Sequence, residues 1–135
     1  NILMQSELFS SLSKTLSKDE NVQLAWIFGS VAKKKATMES DLDVAVVTTK
    51  PLSSKDKSEI INQLANISGR TIDLVDLSQA NPTLLKEVLT SGHLIVKKQE
   101  NLLAEYLKKL WFDQADFQPY RQRILDERRQ SWINS

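Results

Sequence analysis

Residues 27–47 read IFGSVAKKKATMESDLDVAVV. An apolar run ends on Gly29-Ser30, ten residues intervene, and Asp41-Leu42-Asp43 opens a second apolar run. If both runs are strands, alternation puts Asp41 and Asp43 on one face, their Cα atoms about 7 Å apart. Carboxylates placed like this repel each other unless a cation lies between them. A hard divalent cation with oxygen ligands, Mg²⁺ or Mn²⁺, answers that need. Mg²⁺ is usually held by one or two carboxylates together with substrate phosphates, so the pattern points to nucleotide chemistry.

Gly29-Ser30 supplies the complementary half. A strand that stops at glycine and turns into a helix presents main-chain N–H groups to an anion. The glycine allows close approach, and the serine hydroxyl adds a donor. Neither GxxxxGK[ST] nor GxGxxG occurs in the chain. Metal-assisted phosphoryl transfer with two ions calls for a third carboxylate beside the first pair, and RTIDLVDL (70–77) offers Asp73 and Asp76. Asp73 is favoured, because it interrupts the middle of an apolar strand, where Asp is disfavoured without a task. The single histidine, His93, reads as a surface residue at a strand start. The run Lys33-Lys34-Lys35 reads as a solvated turn.

Outward from this stretch, Leu8, Phe9, Leu12 and Leu16 fall at helical spacing over 4–17. Strands are expected at 22–28, 42–48, 70–77 and 93–98, the last as a short edge strand. A short helix begins at Ser30, followed by a loop near 36–40. Ser53, with Asp56 three residues on, caps a helix whose buried stripe is Ile60, Ile61, Leu64 and Ala65, and Gly69 closes it in a left-handed turn. Asn81-Pro82 opens another, with Leu84, Leu85, Val88 and Leu89 facing inward, ended by Gly92. From Gln99 the chain reads helical, with Leu103, Tyr106, Leu107, Leu110 and Trp111 on one face. Pro119 imposes a break within 113–118 before a last helix to about Trp132. This order gives an α/β (α+β) fold: a small mixed sheet of about four strands with helices packed on one face, plus C-terminal helices. The expected organisation is one domain, 1–135, with a core at about 22–98 and a helical extension at about 99–133.

With 135 residues, 41% hydrophobic and 26% charged, the chain suits a soluble globular domain. It lacks an apolar run long enough to span a bilayer, and NILMQSELFS has no secretory character. Met4 reads as a candidate natural start. Zero cysteines exclude disulfides and thiolate metal sites and fit a cytoplasmic setting. A net charge of +1 argues against nucleic-acid binding by bulk charge, and no direct nucleic-acid or membrane partner is expected. Trp111, Phe112, Phe117, Tyr120 and Trp132, set among Arg121, Arg123, Arg128 and Arg129, read either as an interface or as cover for the sheet.

The pattern Gly29-Ser30, ten residues, Asp41-x-Asp43, followed by RTIDLVDL, resembles the signature of the polymerase-β-like nucleotidyltransferase superfamily. Within it, the size resembles the minimal nucleotidyltransferase (MNT) group, and the likeness covers roughly residues 22–98. The resemblance implies a palm-like sheet in which Asp41 and Asp43 bind two Mg²⁺ ions (or Mn²⁺) and a nucleoside triphosphate, ATP by default. It makes Asp73 the third carboxylate and proton acceptor, and Gly29 and Ser30 the residues on the β/γ-phosphates. It further implies a HEPN-domain ribonuclease toxin as partner in a hetero-oligomeric complex, neutralised by AMP added to a tyrosine, by binding, or by both. The alternatives are an aminoglycoside-type small-molecule nucleotidyltransferase and an antitoxin acting mainly by non-catalytic binding.

Overall fold

A computed structural model describes residues 2–37 and 39–112, and the chain divides into two compact units, Asn1–Glu100 and Asn101–Ser135. The first unit holds helix α1 (Ile2–Ser17), strand β1 (Val22–Phe28), the one-turn helix α2 (Gly29–Ala32), β2 (Leu42–Thr48) and α3 (Ser54–Ser68). After these come β3 (Ile72–Asp76), a 3-10 turn (Leu77–Gln79), α4 (Pro82–Ser91) and β4 (His93–Lys97). The strands form one sheet in the order β3-β2-β1-β4. β1 runs antiparallel to β2 and β4, and β2 runs parallel to β3. The sheet is therefore mixed, and β4 takes an edge, as the order of elements led one to expect.

The central strands β1 and β2 are apolar on both faces and buried along almost their whole length. On one face Ala25, Ile27, Val44, Val46, Ile72 and Val96 pack against Leu12 and Leu16 of α1 and Ile60 and Leu64 of α3. Full burial of each such aliphatic side chain stabilises the fold by about 1.5–3 kcal/mol. The one-sided packing expected from the sequence describes these two helices. The other face carries Trp26 and Phe28, and α4 comes against β1 there, with Leu85 and Val88 buried and Gly92 close to the Trp26 indole. The bulk of Trp26 requires cover on that side, and the crossover from edge strand β3 to edge strand β4 provides it.

The helix ends follow their local chemistry. Ser53 Oγ accepts from the Asp56 N–H at 3.1 Å, and Asn81 Oδ1 accepts from the Leu84 N–H at 2.8 Å with Pro82 at the first helical position. β3 is shorter than the expected 70–77 strand, because Leu77 turns inward at the start of the 3-10 turn, which Asp76 caps. The helix α5 (Glu100–Phe112) begins on the final residue of the first unit and belongs otherwise to the second. Leu103, Tyr106, Leu110 and Trp111 are half-buried, whereas Leu107 is exposed. The expected break within 113–118, the last helix to Trp132 and the aromatic–arginine cluster beyond Phe112 lie outside the described residues. Among the described residues no helix is long and apolar enough to cross a membrane.

Gly69 closes α3 at φ 67°, its N–H bonded to the Ala65 carbonyl at 2.8 Å. A Cβ there would meet nothing within 4 Å, so the backbone conformation alone sets the effect of a side chain. Gly69→Ala should cost about 1–2 kcal/mol and Gly69→Asn less. Urea unfolding would show this as a lowered midpoint at unchanged m-value.

Candidate active site

The site is assembled at the ends of β1, β2 and β3. Phe28 pairs with Asp43 across β1 and β2, and Asp43 pairs with Asp73 across β2 and β3. Residues paired in register point to the same face, so Asp43 and Asp73 share the face of Phe28, away from the α1/α3 layer. Asp41, two residues before Asp43, has the same parity. Asp43 is half-buried, while Asp41 and Asp73 are exposed.

Gly29 follows Phe28 with φ 72°, and a Cβ there would collide with Oδ2 of Asp43 and lie 3.0 Å from its Cγ. The Asp43 carboxylate thus occupies the space that any other residue at position 29 would fill. Both the left-handed backbone and the missing side chain are needed. Ser30 is half-buried in the first turn of α2, where Phe28 occupies the cap position and no side chain caps the turn.

The carboxyl of Asp43 is pushed up from the ordinary 3.8 to about 6. Burial is the main cause. The charge of Asp73 and a hydrogen bond shared with it come next, then the charges of Asp41 and Glu87. Four acidic groups therefore act on one region, and proton sharing is how they tolerate one another without a cation. A divalent cation would reverse that balance, and this all-oxygen donor set is what Mg²⁺ or Mn²⁺ takes. No three acidic or histidine side chains among the described residues stand close enough to hold an ion by themselves.

The structure brings Asp41, Asp43, Asp73, Gly29 and Ser30 to one end of the sheet. Asp76 has other work: Oδ1 accepts from the N–H and hydroxyl of Ser78 at 3.0 and 2.7 Å. His93 is exposed, with its ring 4.9 Å from that of Phe9. Sequence reasoning missed Glu87, a residue of α4 whose charge reaches Asp43 and whose Oε1 lies 3.9 Å from Lys33 Nζ. The signal available was only a Glu on a half-buried helix, and no local pattern ties it to residue 43.

The family described as "Polymerase beta, Nucleotidyltransferase" matches residues 10–101. The chain is a nucleotidyltransferase of the polymerase β family. Among curated proteins, this nucleotidyltransferase is 30% identical over 106 residues to the protein adenylyltransferase MntA of Shewanella oneidensis, covering 78% of this chain and 76% of MntA. It is similar to a chain of a crystal structure of a toxin–antitoxin with AMP-PNP (TM-score 0.67, 28% identity, 87% of this chain and 96% of that one). It is also similar to a chain in a structure of a tri-AMPylated Shewanella oneidensis HEPN toxin in complex with MNT antitoxin (TM-score 0.66, 27% identity, 91% and 97% covered).

The raised Asp43 carboxyl has a consequence for stability in the absence of metal. The folded nucleotidyltransferase holds this proton more tightly than the unfolded chain does. The stabilisation is therefore complete below about pH 4 and is lost as pH rises through about 6. Asp43→Asn removes the penalty at neutral pH, which we put at about 1 kcal/mol after allowing for solvent screening. In EDTA near pH 7.5 the variant should melt roughly 2–6 °C above the wild type. Thermal melts below about pH 4 should show that gap closed.

Proposed function

We propose that this chain is a Mg²⁺-dependent adenylyltransferase that moves AMP from ATP to a tyrosine hydroxyl of a HEPN-domain ribonuclease toxin, acting in the cytoplasm as the antitoxin of that pair. The observation that carries the reading is the convergence of Asp43 and Asp73 on neighbouring strands, beside Asp41 and opposite the left-handed Gly29. The protein acceptor is supported by the likeness to MntA, a protein adenylyltransferase, and to the complex whose HEPN toxin is tri-AMPylated. A second support is positional. Asp73 is exposed on edge strand β3, so a hydroxyl carried by another protein can reach it without entering a cleft.

In this reading Asp41 and Asp43 would hold two Mg²⁺ ions, with Asp73 as a further ligand to the second. Bound there, the ions neutralise charge developing on the α-phosphate and the departing pyrophosphate. Gly29 and Ser30 bind the β- and γ-phosphates through main-chain N–H groups and the serine hydroxyl. Asp73 takes the proton of the attacking hydroxyl as its oxygen bonds to the α-phosphorus. The bond from that phosphorus to the bridging oxygen breaks, and pyrophosphate leaves. Lys33, one turn beyond Gly29 and paired with Glu87, lends positive charge on the phosphate side.

The experiment is mass spectrometry of a HEPN toxin co-expressed with this chain. The toxin should gain the mass of one or more AMP residues. The gain should disappear with the double substitution Asp41→Ala/Asp43→Ala. If the double variant neutralises the toxin as well as the wild type does, neutralisation is by binding and the enzymatic account of it fails.

A further inference from the structure

Arg70 lies between α3 and β3, three residues before Asp73. Its guanidinium reaches back over the segment that leads to Asp41: Nη1 donates to the carbonyl of Thr37 at 2.7 Å and to that of Ser40 at 2.9 Å. Thr37 and Ser40 are also bonded to each other. The Thr37 N–H donates to Ser40 Oγ at 2.8 Å, and the Ser40 N–H donates to the Thr37 carbonyl at 3.2 Å. On the other side of Asp41, the Leu42 N–H donates to the Thr71 carbonyl at 2.8 Å. The main chain on both sides of Asp41 is thereby tied to two consecutive residues, Arg70 and Thr71, of the segment that carries Asp73.

The connection needs such a tie. Residues 33–35 are exposed, and Lys34 turns the chain at φ 60° without being glycine. Asp41 itself precedes β2, so the strand ladder does not hold it as it holds Asp43. Hydrogen bonds from a guanidinium are charge-assisted, and one planar group meets two carbonyls in fixed directions.

We propose that Arg70 is a positioning residue that fixes Asp41 relative to Asp43 and Asp73, and so prepares the carboxylates for a divalent cation. The inference rests on the metal-dependent reading above. Arg70 touches neither phosphate nor metal in this scheme. It acts through the carbonyls of Thr37 and Ser40.

The test is titration of the full chain with Mn²⁺, following the free ion by electron paramagnetic resonance, for wild type, Arg70→Met, Arg70→Lys and Asp43→Asn. Arg70→Met keeps the aliphatic stem and loses the donors. It should weaken Mn²⁺ binding by about tenfold or more, the scale of outer-shell partners of metal ligands. The Mg²⁺ concentration for half-maximal AMP transfer should rise by the same factor, with the rate at saturating Mg²⁺ within about twofold of wild type. Arg70→Lys, which retains a charged donor, should fall between. The inference is overturned if Arg70→Met binds Mn²⁺ as wild type does while Asp43→Asn does not. It is equally overturned if the loss merely follows unfolding of the metal-free variant, read by far-ultraviolet circular dichroism. A wild-type chain that takes up no Mn²⁺, either alone or with AMP-PNP beyond a protein-free AMP-PNP blank, overturns the functional reading itself, which separates that failure from this one.

Discussion

The placement of the Asp43 carboxylate over the bare Cα of Gly29 is the constraint on which the site depends. It brings the end of β1, where the chain turns into α2, against the start of β2, where the acidic pair enters the sheet. Without it, the turn at Gly29 and the carboxylates at the start of β2 would belong to two separate features. The rest of the fold holds this contact in place. The β1–β2 pairing sets Phe28 opposite Asp43, β2–β3 sets Asp43 opposite Asp73, and the α1/α3 layer fixes the sheet from the face that carries no chemistry.

The electrostatics follow from that geometry. A half-buried carboxyl with acidic neighbours on β3, before β2 and on α4 is an unfavourable arrangement in an empty protein, and the raised Asp43 carboxyl records it. In the proposed reaction, cations would supply the missing charge and triphosphate oxygens the remaining ligands. The ion pair of Lys33 with Glu87 and the clasp of Arg70 on Thr37 and Ser40 are devices at the margin of that region. Each ties the connection between β1 and β2 to a different neighbour.

Much of this was legible in the sequence, because its signals are local. An apolar run stopping at Gly29 marked β1, and a Val-rich run opened by Asp41 and Asp43 marked β2. Ser53, Asn81 and Pro82 marked helix starts, and Gly69 marked a left-handed stop. Asp73 could be preferred to Asp76 from strand position alone, and in the fold Asp76 caps the 3-10 turn. What escaped is tertiary. Glu87 reaches Asp43 only because the β3-to-β4 crossover lays α4 against β1. Arg70, read as the first residue of a strand, instead turns its guanidinium onto carbonyls 30 and 33 residues away in sequence. Neither partner choice has a sequence period or spacing to betray it.

The central claim is that residue 29 is glycine to make room for the carboxylate of residue 43, beyond the demand of its backbone angle. A double-mutant cycle of stability in urea isolates this coupling, using Gly29→Ala, Asp43→Ala and the pair. Gly29→Ala should be strongly destabilising in the wild-type background. In the Asp43→Ala background it should cost only the roughly 1–2 kcal/mol expected of a left-handed alanine, leaving a coupling of about 1 kcal/mol or more between the two positions. Equal costs in the two backgrounds would mean that the glycine serves the turn alone. The joining of Gly29 and Asp43 into one site would then be contradicted.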